Sequence, residues 1–383
     1  MSLIPFLVLL ALLTPWTVNQ DQADVCLDSF DNFETIILDS PTSAARLQDG
    51  GVEVAWFPDS DCVALSYEGS LWVISLSDID RRIKLVEIHE LPISNLVTNA
   101  VDGTIAFTAG RENTIYILHD DTSLVTLIAS GTEISGLAFS PDGKYLAVAS
   151  NDVVEILAAD ARLQVWSLDD MQLVTESLVD ASMILDLDFT ADGRHLLVSA
   201  TWDPEIEVSY WNIQPQLQMQ WNTSFMSDNL ASPYLPMAVQ FGSMQDDFLI
   251  VVGFGRVEYA NEFFEIVAEV WHPTDAKRIA MYQLSTESEV TDDGLRPTGL
   301  ASFASRSAFG VSFSNGKIEF RQTVTGEVLS RIQNRDLVTG RMQANFDQSL
   351  LAIVGRDKQD LVIRVIDVND ISDLDIVAEI FVP

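Results

Sequence analysis

Basic residues are scarce in this chain of 383 residues, which has 21 Lys and Arg against 57 Asp and Glu and a formal charge of -36. A surface so acidic repels phosphate backbones, so nucleic acid is excluded as a partner class, while cations, basic proteins or solubility alone are favoured. Histidine is sparse as well. His89, His119, His195 and His272 are scattered without the spacing of a zinc site or a catalytic triad. No serine stands in a Gly-x-Ser-x-Gly elbow, and no His-x-x-x-His pair occurs. The only cysteines are Cys26 and Cys62. An even count in an exported chain permits one disulfide, which would staple the N-terminal segment to the strand-forming region around Cys62; two unpaired thiols are the alternative.

Helical periodicity over three or more turns is missing beyond the first residues, and no later apolar run crosses a bilayer length without charges. Leu3 to Leu13 is almost wholly apolar, and polar residues follow from Thr14 through Asp24. That core is short for a membrane span and right for the apolar centre of a signal peptide, although no Lys or Arg precedes it. Residues 1–23 therefore read as a leader ending at Ala23, and the protein as secreted or extracytoplasmic. An uncleaved anchor and a buried start are the alternatives.

What the chain does have is repetition. From Ile134 to Leu168 an alternating run (Leu137, Phe139) is followed by Ser140-Pro141-Asp142-Gly143, then an apolar run from Tyr145 to Ala149, and a third run carrying Trp166. Pro fixes its own φ and Gly accepts a positive one, so Pro141, Asp142 and Gly143 mark a tight turn between paired strands. Asp192 and Gly193 repeat the turn in the next unit, whose third run holds Trp211, and Trp271 ends the third run of the unit after that. Further units begin near Val52, Ile93, Thr298 and Gly340. In the first, Ile74 takes the place that Trp166 holds, and Trp72 sits two positions earlier. Units of about forty residues built this way are four-stranded propeller blades.

The surplus length falls in Asp152 to Ala161, Trp221 to Pro236, Arg256 to Glu262 and Leu284 to Pro297, which read as rim loops. The expected architecture is all-β: one seven-bladed β-propeller of four-stranded antiparallel blades over residues 51–383, with six or eight blades less favoured. Residues 24–50 form a lead-in whose run Thr35 to Leu38 could supply a strand closing the last blade.

The run Gly136-Leu137-Ala138-Phe139-Ser140-Pro141-Asp142-Gly143-Lys144-Tyr145-Leu146-Ala147-Val148-Ala149-Ser150, with Leu163 to Leu168, resembles a WD40 repeat. The resemblance covers roughly residues 50 to 383 and is strongest in this third unit. It implies a propeller serving as a rigid binding platform. The family's Gly-His pair is absent, however, and no third strand ends in Trp-Asp, so the polar network of those residues does not carry over. Trp166, Trp211 and Trp271 remain as anchors for blade packing, with ligand platforms the alternative.

The candidate binding residues are Arg256, Glu258, Tyr259, Glu262, Phe263 and Phe264, because aromatics beside charge in an insertion suit a protein-binding rim. An ordinary long hairpin whose aromatics pack on their own blade is the competing reading. Acidic turns such as Asp120-Asp121 and the run Asp367 to Asp375 could hold calcium, but no calcium-loop pattern is present, and no cofactor or catalytic residue is expected. Asn222-Thr223-Ser224 is a glycosylation sequon. The expected function is a monomeric, non-catalytic platform for a protein or glycan partner. A propeller hydrolase with carboxylates or metal at its central channel, and a structural part of an envelope assembly, are the alternatives.

Overall fold

The computed structural model describes Leu27, residues 34–38 and residues 52–382 apart from 60, 89–90, 111, 120, 122, 155–156, 182, 203–204, 215, 225–234, 242–248, 258–262, 273–276, 285–296, 334–336 and 358–359; for some strand residues it describes the backbone alone. The described strands form sheets arranged radially, and each is here called a blade, with strands a to d running from the axis outward.

The first blade contains β2 (Glu53–Trp56), β3 (Cys62–Tyr67), β4 (Ser70–Ser75) and β5 (Arg82–Ile88), with β1 (Ile36–Leu38) outside them. The second holds β6 (Ile93–Thr98), β7 (Ile105–Ala109), β8 (Thr114–Leu118) and β9 (Leu124–Ile128). The third holds β10 (Glu133–Phe139), β11 (Tyr145–Val154), β12 (Leu157–Ser167) and β13 (Gln172–Val179). The fourth holds β14 (Met183–Phe189), β15 (His195–Trp202), β16 (Glu205–Asn212) and β17 (Gln218–Ser224). The fifth holds β18 (Leu235–Phe241), β19 (Leu249–Val257), β20 (Phe263–His272) and β21 (Lys277–Gln283). The sixth holds β22 (Pro297–Phe303), β23 (Ala308–Phe313), β24 (Lys317–Gln322) and β25 (Val328–Gln333). The last holds β26 (Leu337–Ala344), β27 (Leu350–Asp357), β28 (Asp360–Asp367) and β29 (Asp375–Val382).

Burial explains why these segments pair in this order. Strand b lies between two neighbouring blades, so both of its faces are covered and its sequence is mainly apolar, as in Ile105–Ala109 and Ala308–Phe313, every residue of which is buried, Thr108 and Ser312 included. Strand d has one solvated side, so burial alternates along Lys277–Gln283 and Val328–Gln333. Each core cluster is shared by two adjacent blades: Ala147, Leu163 and Val165 of the third pack on Leu187, Leu196 and Trp211 of the fourth. At about 1.5–3 kcal/mol for each large apolar side chain buried, these shared faces hold the array together.

The inner strands touch in ring order, and the ring closes where β2 meets β26. One cluster spans that seam, joining Val54, Trp56 and Val63 to Ala352, Ile363 and Val365. The Trp56 indole donates across it to the Gln343 carbonyl at 2.9 Å. The fold is therefore a β-propeller.

Two expectations about it fail. The blades are not uniformly four-stranded and antiparallel: six sheets are, but the first has five strands, because Ile36, Ile37 and Leu38 pair in parallel with Val86, Glu87 and Ile88. Nor does the lead-in close the last blade. The C-terminal run Asp375–Val382 already supplies that blade's outer strand, so the lead-in takes the outer edge of the first blade instead. Leu27, Ile36 and Leu38 join the core between the first two blades. Residues 1–23, the expected leader, lie outside the described residues. Among the described residues no helix is long and apolar enough to cross a membrane.

Candidate functional face

The strand order places every a–b and c–d connection on one face of the ring and every b–c and d–a connection on the other. On the first face the connections are short and alike, each between four and seven residues long. Their geometry is repeated too: Ser140 Oγ donates to Asp142 Oδ1 at 2.7 Å and accepts from Tyr145 N at 2.9 Å, and Thr190 Oγ1 makes the same pair with Asp192 and His195 N at 2.7 and 3.0 Å. Gly143 and Gly193 sit at φ +71° and +66°, the left-handed conformation these turns require.

All the irregular length is on the opposite face. The d–a connections on either side of the fifth blade span residues 225–234 and 284–296, and its b–c connection spans 258–262. The b–c hairpins of the third, fifth and last blades are drawn out as paired strands, with Val153 opposite Ala158, Val257 opposite Phe263 and Asp357 opposite Asp360. Asp152 to Ala161, expected as a rim loop, is thus largely a lengthened hairpin with a register shift between Asn151 and Val153.

The ring axis holds a cavity of about 260 Å³, lined by residues of the inner strands. Inner strands carry register shifts at this level, between Ile134 and Gly136, Ile184 and Asp186, and Pro297 and Gly299. Such bulges expose backbone groups, and neighbouring blades satisfy them. The buried Glu53 carboxylate accepts from Leu96 N at 2.6 Å, Asn95 Nδ2 donates to the Ile134 carbonyl at 3.2 Å, and Asn151 Oδ1 accepts from Ile184 N at 3.1 Å. Glu53, Asn95, Ser135, Asp186, Thr298 and Gln343 give the cavity its polar lining, and the Ser135 hydroxyl has no hydrogen-bond partner among the described residues.

Of the candidate binding residues, Arg256, Phe263 and Phe264 lie in the fifth blade's b–c hairpin, with Arg256 opposite Phe264. Glu258, Tyr259 and Glu262 fall outside the described residues. The expected anchors are packing residues. Trp211 and Trp271 are buried, and their indoles donate to Ser209 Oγ at 2.8 Å and Glu269 Oε2 at 2.9 Å. Trp166 is half-buried against the second blade's core, and its indole nitrogen has no partner among the described residues. Cys62 is disulfide-bonded; the sequence has one other cysteine, Cys26, which lies outside the described residues.

The acidic turns are bonded locally. Asp121 accepts from Ser123 N and Oγ at 2.9 and 2.5 Å, and Asp370 accepts from Ser372 in the same way at 2.9 and 2.6 Å. These bonds hold both carboxyls below the usual range. His195 stacks on Tyr210, and Tyr210 on Trp221, with ring centroids 4.8 and 5.7 Å apart, so this histidine is part of an aromatic row across the fourth blade. Sequence reasoning did not find the polar groups of the axial cavity, since they come from different blades and share no motif.

A family model described as "WD domain, G-beta repeat" matches residues 121–167. That is one repeat, centred on the third blade, so the wider resemblance expected over residues 50 to 383 is not supported beyond it. Among solved structures, Kuenenia stuttgartiensis hydrazine synthase is similar over 86% of this chain and 98% of that chain, with a TM-score of 0.66 and 12% sequence identity. At that identity the likeness concerns the fold alone.

Proposed function

We propose that this chain is a non-catalytic, extracytoplasmic propeller that holds a protein partner on the face bearing its b–c and d–a connections. One observation carries the reading: the two faces share the same blades, yet one has uniform short turns while the other carries all the insertions, three of them around the fifth blade. Packing of the array requires neither the insertions nor their clustering, and recognition surfaces are built from such connections on a rigid scaffold. The charge of -36 favours a partner with a basic surface. Secretion rests on the apolar run near the start of the chain.

The test is capture of the tagged full-length chain from the native extracellular fraction, followed by cross-linking and mass spectrometry. A stoichiometric protein cross-linked to residues on the insertion-bearing face supports the proposal. Cross-links confined to the face carrying Asp142 and Asp192, or hydrolytic activity without a stoichiometric partner, overturns it.

A further inference from the structure

One row of third-strand positions faces the preceding blade all round the ring, and its register neighbours define it. Trp72 lies opposite Leu65 and Lys84, Tyr116 opposite Phe107 and Thr126, and Gln164 opposite Val148 and Glu176. Glu269 lies opposite Val251 and Met281, Glu319 opposite Val311 and Arg331, and Arg364 opposite Ile353 and Glu379. In the fourth blade the row is occupied by Ser209, opposite Val198 and Asn222. Every other blade fills this place with a large side chain, and the fourth does not.

Beside Ser209 lies a cavity of about 390 Å³ between the third and fourth blades. Leu178 and Asp180 border it from the third blade, and Glu207, Trp211, Met219 and Asn222 from the fourth. Its chemistry is one-sided, because Glu207 and Asp180 are acidic and no described lining residue is basic. Glu207 Oε2 accepts from Asn222 Nδ2 at 2.9 Å. Met219, opposite Trp211, is 45% exposed and leaves apolar surface suited to a methylene stem.

The last blade shows what fits such a place. There the row residue is Arg364, whose Nε donates to Glu379 Oε1 at 2.6 Å while its side chain is only 15% exposed. We propose that the cavity beside Ser209 binds an arginine side chain supplied by another molecule, with its guanidinium on Glu207 and its stem along Met219. The fourth blade would thereby take from outside what the last blade carries in its own sequence. The inference is separate from the assignment of the insertion-bearing face and is tested with a small ligand.

The experiment titrates the full-length chain with N-acetyl-arginine amide at moderate salt, reading heat and the Trp211 indole resonance. Saturable binding is expected, with N-acetyl-glycine amide giving none. Ser209→Arg places the last blade's side chain in the cavity, and Ser209→Gln places the third blade's there. Each should weaken binding by about tenfold or more, and the glutamine variant decides the matter if the arginine variant does not fold. Glu207→Gln should weaken it by a similar factor. Absence of saturable binding to the wild type overturns the proposal, as does equal binding by the folded cavity-filling variants or by Glu207→Gln, which would mark general attraction of a cation to an acidic surface.

Discussion

The Trp271 indole nitrogen donates to the carboxylate of Glu269, two residues back on the same strand, at 2.9 Å. The spacing follows from the two-residue period of a strand, which puts both side chains on one face. Glu269 is fully buried, and its other oxygen accepts from Arg278 Nη1 at 3.0 Å. Glu269→Ala removes the acceptor these two donors share, and a buried pair broken on one side costs about 3 kcal/mol or more. Glu269→Gln keeps an acceptor for the indole and should cost less. Urea midpoints of the two variants check the order.

Glu319 gives a pH signature. It is 1% exposed and meets Lys317 Nζ at 2.9 Å, Arg321 Nη2 at 2.7 Å and Arg331 Nε at 2.8 Å. Burial pushes its pKa up, but hydrogen bonds from Lys317 and Arg321 and their positive charges outweigh that and leave it below its ordinary value of 4.5. A carboxyl depressed in the folded state contributes stability that is fully present above its unfolded pKa and is lost as pH falls through its folded one. The stability difference between wild type and Glu319→Gln should therefore be constant near neutrality and shrink below pH 4.5. A difference that grew on acidification would contradict the assignment.

Gly143 and Gly193 occupy equivalent turns and should respond differently to alanine. Both have positive φ, which costs a residue with a Cβ about 1 kcal/mol. At Gly193 the nearest atom to an added Cβ is Pro141 Cδ at 3.6 Å, so the cost stops there. At Gly143 the Cβ would meet Asn99 Oδ1 at 2.6 Å, and Asn99 is buried and donates to the Gly143 carbonyl at 3.1 Å. Gly143→Ala should lower stability by about 2 kcal/mol or more, because it disturbs that bond between blades as well. Thermal midpoints of the two variants decide the ranking.

The same pair of turns marks what could be read in the sequence. Ser140-Pro141-Asp142-Gly143 announces its hairpin through local chemistry, and the alignment of Ile74 with Trp166 is matched by the structure, where Val63 opposes Ile74 as Leu146 opposes Trp166. The bond from Asn99 to Gly143 was not legible, since it joins residues 44 apart in different blades. The short run Ile36–Leu38 was legible as a strand, but its edge depends on which blade already has an outer strand. Ser209 looks unremarkable alone and gains meaning only when register aligns it with Trp72 and Arg364. The insertion-bearing face, by contrast, had a signal in the sequence: every insertion falls after a second or a fourth strand, and antiparallel order sends both kinds of connection to one side.

Net charge sets the response to salt. Acidic groups exceed basic ones by 36, and like charges on one compact body repel. At about 0.1 M salt the screening length is about 10 Å, shorter than the distances over which most of this repulsion acts. The thermal midpoint should rise between low and moderate ionic strength. An unchanged midpoint would show that local pairs such as Arg162 with Asp152 and Glu176, at 3.2 and 3.4 Å, already offset the surplus.

The Cys62 disulfide gives the most local prediction. Cys62 begins β3 in the first blade and is fully buried, and Cys26 is the only other cysteine in the sequence. A bridge over that separation restricts the unfolded chain by about 3–4 kcal/mol in the loop-entropy account. Its folded-state effect is confined to one region, because the adjoining Leu27, with Ile36 and Leu38, packs on Leu85, Val86 and Ile88 in the core of the first two blades. Reduction should lower the thermal midpoint and speed hydrogen exchange at Ile36–Leu38 and along Arg82–Ile88, since that outer strand depends on the lead-in for its cover. Strands β22 to β25 share no core cluster with the lead-in, so their amides should keep their protection. Uniform loss of protection around the ring would mean that the bridge stabilises the whole propeller and not the seating of β1 on β5.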